Sequence, residues 1–123
     1  MALRCLIVDD RPSFCEAARE LLEGQGVTVV GFATSSTEAV RRVQELQPDV
    51  ALVDIDLGAD SGFDLARRLA DDVDGNAPPV ILISTHDERE FLKLIESSPA
   101  VGFIAKTELS AAKIQQLLQR TDG

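Results

Sequence analysis

Tryptophan and tyrosine are absent from this 123-residue chain, methionine occurs once, and five phenylalanines supply the aromatic side chains. A core must therefore be built from Val, Ile, Leu and Ala, and a hydrophobic content of 45% is ample for one domain of this length. Cysteine is nearly as scarce. Cys5 and Cys15 both sit in apolar stretches beside a single histidine in the whole chain. That argues against a disulfide framework or a Cys/His metal site, and for buried free thiols in a reducing compartment. Positive charge is short as well, with 12 Lys and Arg against 21 Asp and Glu and a net charge of −9. Such an acidic surface argues against direct binding to nucleic acid or an anionic membrane, and suits a chain that docks proteins or holds a cation. No apolar run approaches the roughly 18 residues of a membrane span. The run after Met1 is broken by Arg4, so no signal peptide is read. The expectation is a cytoplasmic single domain, residues 1–123, that stops soon after its last helix.

Five short apolar runs stand out: Leu3 to Val8, Val27 to Phe32, Val50 to Val53, Val80 to Ile83 and Val101 to Ala105. They are near-continuous and rich in β-branched residues, as strands covered on both faces of a parallel sheet are. Helical periods fill the gaps. Phe14, Ala17, Ala18, Leu21 and Leu22 form the first apolar stripe, which Gly24 and Gly26 close. Ala39, Val40, Val43 and Leu46 form the second, opened by the capping-box pattern Ser35-Ser36-Thr37-Glu38. Phe63, Ala66, Leu69 and Ala70 form the third. A fourth spans about Asp87 to Glu96 with Phe91, Leu94 and Ile95 inward, and Thr85 with Glu88 offers it a capping box. The fifth starts near Thr107 and carries Ala111, Ile114, Leu117 and Leu118. Strand and helix alternate five times, which predicts an α/β fold: a doubly wound, flavodoxin-like, five-stranded parallel sheet with helices on both faces and strand order 2-1-3-4-5.

Open α/β sheets bind ligands outside the carboxyl ends of their strands. The first run ends in Asp9-Asp10, the third in Asp54 followed by Ile55-Asp56, the fourth in Ser84-Thr85 and the fifth in Ala105-Lys106. Carboxylates from two adjacent strands would converge there. Like charges about 5 Å apart cost roughly 3 kcal/mol per pair at an effective dielectric near 20, so folding alone does not explain the gathering. A divalent cation does, and Mg²⁺ prefers oxygen ligands and a phosphate partner. Lys106 can set an ammonium against an anion, and Ser84 offers a hydroxyl to a phosphoryl oxygen. Phosphoryl transfer is mainly positioning and charge stabilisation, and Asp54 is the natural nucleophile because carboxylates form aspartyl-phosphate.

With these residues in view, the chain resembles bacterial response-regulator receiver domains over essentially its full length. The resemblance is carried by Asp9-Asp10, by Asp54 at the end of Pro48-Asp49-Val50-Ala51-Leu52-Val53, by Gly62, by Ser84, and by Lys106 after Gly102-Phe103-Ile104-Ala105. The spacings fit: 44 residues from Asp10 to Asp54, 30 to Ser84 and 22 to Lys106. It implies that Asp10 and Asp54 ligate Mg²⁺ directly, that Asp56 lends its backbone carbonyl and that Asp9 holds metal-bound water. Ser84 would be the switch hydroxyl, Phe103 an aromatic that follows phosphorylation, and Lys106 a phosphoryl contact. The implied donor is a phosphohistidine on a sensor histidine kinase. The implied output is an unknown downstream protein or a detached effector domain, with a homodimer through the fourth and fifth helices compatible. The domain would catalyse its own phosphorylation and slow dephosphorylation, with no separate substrate turnover.

Three positions depart from the pattern. Gly58 replaces a frequent Pro, His86 stands two residues after Ser84 where a small residue is common, and Thr107 replaces a Pro after Lys106, predicting a trans peptide there. Arg41-Arg42 and Arg67-Arg68 read as solvated helix faces. Two other functions compete with this reading. Asp54-Ile55-Asp56 mimics the Asp-x-Asp of haloacid dehalogenase-type phosphohydrolases, but follows the third strand rather than the first and comes without room for a substrate cap. A binding module that has lost phosphorylation is opposed by the intact Asp10, Asp54 and Lys106.

Overall fold

A computed structural model describes residues 2–58, 60–72 and 77–120. The elements run β1 (Arg4–Val8), α1 (Pro12–Gly24), β2 (Thr28–Ala33), α2 (Ser36–Leu46), β3 (Val50–Asp54), β4 (Asp56–Leu57), β5 (Asp60–Ser61), α3 (Gly62–Asp72), β6 (Val80–Ser84), α4 (Leu92–Ser97), β7 (Gly102–Ala105) and α5 (Ala111–Arg120). The main sheet is parallel with order β2-β1-β3-β6-β7. This is the predicted 2-1-3-4-5 arrangement once the small hairpin β4-β5, which hydrophobic patterning did not reveal, is set aside.

Alternation along the strands divides the core in two. Leu6, Val8, Ala51, Val53 and Leu82 face α2 and α3, where Ala39, Val43, Leu65, Ala66 and Leu69 are buried against them. Cys5, Ile7, Val50, Leu52, Ile81 and Ile83 face α1 and α5, where Cys15, Ala18, Leu22, Ala111 and Ile114 close the other layer. Apart from Arg4 at the start of β1, the three central strands therefore carry no polar side chain until their carboxyl ends. No helix among the described residues is long and apolar enough to cross a membrane.

Several helix readings need correction. In α1 the inward face is Cys15, Ala18 and Leu22, while Ala17 and Leu21 are exposed. In α3 Leu65 is buried and Ala70 exposed. The fourth helical segment is broken into a 3₁₀ turn (Glu88–Phe91) and a six-residue α4, with Phe91 and Ile95 half-buried and Leu94 turned to solvent. Asp87, not Thr85, caps it, accepting from the Arg89 amide at 2.9 Å. A further 3₁₀ turn (Lys106–Glu108) precedes α5, which begins at Ala111 rather than near Thr107. On α2, Arg41 lies on the solvated face but Arg42 is half-buried with its Nε inside. The Ser35 cap forms as read: Ser35 Oγ accepts from the Glu38 amide at 3.2 Å, and Glu38 Oε1 accepts from the Thr34 amide at 2.8 Å.

Candidate functional site

The carboxyl ends of β1, β3, β6 and β7 are neighbours because the parallel order makes them so. Val8 pairs with Val53, Asp54 with Ile83, and Ser84 with Ala105, so Asp9, Asp54, Ser84 and Lys106 come out along one edge. Asp9 is fully buried, Asp54 5% exposed and Ser84 1% exposed, and these three are the buried polar side chains among the described residues. Asp10 and Asp56 stand at the surface beside them. A cleft of about 130 Å³ opens over the group, lined by Asp10, Arg11, Asp54, Asp56, Gly58, Ser84, Thr85, His86 and Lys106.

Lys106 organises the floor of this cleft. Its side chain is 7% exposed, and Nζ lies 2.9 Å from Asp54 Oδ2 and 2.6 Å from Asp9 Oδ2. The first contact is a hydrogen bond. The second is a close ion pair with the fully buried Asp9. The ring of Phe14 backs the ammonium at 4.3 Å, a cation–π contact. Burial works against the Lys106 charge, but the Asp9 and Asp54 carboxylates outweigh it and hold its pKa above the ordinary lysine range. Burial also pushes the Asp54 carboxyl up. The Asp56 amide and Lys106 pull it back, and the Asp9 charge pushes it further up.

Backbone amides fix the remaining carboxylate oxygens. Asp54 Oδ1 accepts from the Asp56 amide at 3.0 Å, and Asp9 Oδ1 from the Arg11 amide at 2.8 Å. Asp56 Oδ1 is turned to its own loop, accepting from Gly58 at 3.3 Å, so its side chain stands apart from the other three. Gly58 has φ +71°, a conformation closed to proline. The proline that resemblance leads one to expect cannot occupy this backbone. Gly62 touches the end of β3 directly, since a Cβ there would overlap the Asp54 carbonyl oxygen and lie 2.8 Å from Ile55 Cα. The peptide after Lys106 is trans.

Asp9, Asp10 and Asp54 present carboxylate oxygens all within 4.8 Å of one another. The donor set is entirely oxygen, and the like charges are compensated by one ammonium, which Asp9 and Asp54 share. These properties fit a hard divalent cation. Ser84 Oγ accepts from the His86 amide at 2.9 Å, which ties the hydroxyl to the loop leading into α4. His86 itself is exposed, with Nδ1 3.3 Å from Glu90 and its ring edge-on to Phe91. Phe103 is half-buried and lines an adjoining cleft of about 480 Å³ with Thr85, His86 and Glu88.

Asp9, Asp10, Asp54, Asp56, Ser84 and Lys106 thus line or underlie one cleft, while Phe103 lines the adjoining one. Two neighbours were missed. Phe14 packs against the core as the stripe predicts but also faces Lys106, and Arg11, which follows the acidic pair, is not marked by the sequence pattern. An aromatic and a cation within the first turn after Asp9-Asp10 were the signals available.

Comparison with known proteins agrees with this geometry. The family model described as the response regulator receiver domain matches residues 5–119. The signal receiver domain of a modulated diguanylate cyclase from Desulfovibrio desulfuricans G20 superposes with a TM-score of 0.78 at 32% identity, covering 98% of this chain and 93% of that one. A protein-glutamate methylesterase/protein-glutamine glutaminase of Geobacter sulfurreducens is 30% identical over 85% of this chain and 28% of its own length. The DNA-binding transcriptional activator EvgA of Escherichia coli K12 is 26% identical over 86% of this chain and 51% of its own. The chain spans about half or less of the length of the curated relatives it matches.

Proposed function

This chain belongs to the response regulator receiver domain family, and on that premise we propose that it accepts a phosphoryl group on Asp54 from a sensor histidine kinase and signals through the change that follows. The observation carrying the reading is the buried Lys106 ammonium held between Asp54 and Asp9 under an acidic cleft. The roles follow from position. Asp54 supplies the attacking oxygen, the phosphorus–nitrogen bond of the donor phosphohistidine breaks, and Lys106 offsets the charge carried in by the phosphoryl oxygens. Asp10 and Asp54 would hold Mg²⁺ directly, with Asp9 orienting its water and Asp56 lending a carbonyl. When bound, the ion neutralises the carboxylates and the phosphoryl oxygens together.

Ser84 connects the chemistry to the surface. Its hydroxyl lines the cleft and holds the His86 amide, so a turn toward a phosphoryl oxygen would release the loop entering α4. Phe103 would follow inward, and Leu92 and Leu94, 43% and 48% exposed, lie on the surface so altered. Output would then pass to a partner or to an effector domain of the kind its longer relatives carry. The hydrolase reading is weaker, because Asp56 faces its own loop rather than Asp54.

Intact-mass analysis tests the proposal. With acetyl phosphate and Mg²⁺ the protein should gain the mass of one phosphoryl group, and Asp54→Ala should gain none. A gain that survives Asp54→Ala would refute the assignment.

A further inference from the structure

Arg11 is set apart from the other described arginines by its place at the mouth of the cleft over Asp54, whereas Arg42, whose Nε also lacks a partner, lies on α2 away from it. Arg19, Arg41, Arg67 and Arg89 each pair with a carboxylate close by in sequence, and Arg4 donates to the Gln47 carbonyl. The Arg11 side chain makes no hydrogen bond or ion pair with any described residue, although the chain carries a net charge of −9 and Asp10 and Asp54 line the same cleft. Its backbone is pinned, since its amide donates to Asp9 Oδ1 and Pro12 follows at the first position of α1. The residue is exposed and lines two openings at once. One is the cleft over Asp54. The other is a neighbouring recess of about 380 Å³ shared with Ser13, Phe14, Thr85, Lys106 and Thr107.

A donor phosphoryl group is itself an anion and must approach Asp9, Asp10, Asp54 and Asp56. Lys106 cannot meet it early, because its ammonium is buried beneath the cleft and already engaged by two carboxylates. Among the described residues lining the rim, Arg11 is the cation whose side chain is uncommitted. A guanidinium presents planar, paired N–H donors suited to phosphoryl oxygens.

We propose that Arg11 binds the non-bridging oxygens of the incoming donor's phosphoryl group and guides it to Asp54. The inference rests on the phosphoacceptor function proposed above. With acetyl phosphate, an Asp54 oxygen bonds to phosphorus, the bond from phosphorus to the acetate oxygen breaks, and acetate leaves with the electron pair. No proton or electron has to be supplied. Arg11 contacts the group before and during this exchange and is not needed once the aspartyl-phosphate stands.

The test compares wild type, Arg11→Gln and Arg11→Lys by intact mass over time with Mg²⁺, using acetyl phosphate and, separately, phosphoimidazole as a small model of phosphohistidine. The expected result is a roughly three- to tenfold fall in the second-order rate constant for Arg11→Gln with both donors. Arg11→Lys should fall between, and the rate at which the phosphoryl group is lost afterwards should be unchanged. Added salt should slow wild type more than Arg11→Gln. Equal phosphorylation rates for wild type and Arg11→Gln overturn the inference. So does a loss confined to one donor, or one accompanied by a lower urea midpoint. A wild type that gains no phosphoryl group refutes the phosphoacceptor function instead, which separates the two failures.

Discussion

The fully buried Asp9 and the ammonium facing it are each costly alone and tolerable together. Removing one member of such a pair leaves the other charged, out of water and unpaired. Lys106→Met should therefore destabilise the metal-free protein by about 3 kcal/mol, read from urea unfolding. Mg²⁺ should restore part of the loss by supplying the missing positive charge. Asp10 is exposed and adds only like charge to the group, so Asp10→Asn should leave the metal-free midpoint unchanged or raise it. A large fall on Asp10→Asn would mean that this carboxylate supports the fold.

Among the elements, α3 is the one locked to the backbone that carries Asp54. Gly62 opens it, donates its amide to the Ile55 carbonyl at 3.1 Å, and packs against the backbone that carries Asp54. No side-chain rotation can relieve a Cβ placed there, so Gly62→Ala should cost about 2 kcal/mol in urea unfolding. It should also slow phosphorylation by displacing Asp54. Gly102→Ala is the contrast, because its added methyl meets only the movable end of Leu117. This difference marks how far the sequence could be read. Strand runs ending in Asp, Ser and Lys announced both the sheet and its reactive edge, since a strand covered on both faces tolerates charge only where it leaves the core. The Ser35 cap was equally visible because its partners are three residues apart. Arg11 and Phe14 were not, since their roles depend on which face of α1 meets Lys106. The broken α4 was hidden for a related reason: Leu94 keeps helical spacing with Phe91, but the 3₁₀ turn rotates it outward.

For the whole molecule, the two thiols make stability sensitive to alkali. Burial pushes Cys5 from 9.0 to about 12, and burial with the Asp9 charge nearby pushes Cys15 from 9.0 to about 11. The folded state thus keeps protons that the unfolded chain releases. Stability is fully present below pH 9 and declines as pH climbs through about 11 and then 12. Lys106, also raised, contributes in the same direction above the ordinary lysine range. The urea midpoint should be insensitive to these groups near neutrality and fall steadily above pH 9. Cys15→Ala should flatten the first part of that fall, and an unchanged profile would show that this thiol does not carry it.

The contact made by Gly62 also gives the cleft a direction in which to yield. On the α3 side main chain rests on main chain, so a new ligand over Asp54 finds no slack there. Across the opening the wall is Ser84, Thr85 and His86, which lead into a 3₁₀ turn and a six-residue helix too short to hold its shape without its packing. On the phosphoacceptor reading proposed above, strain introduced at Asp54 is expected to leave by that weaker flank, and a reporter group attached beside α4 should register phosphorylation where the same group beside α3 stays silent.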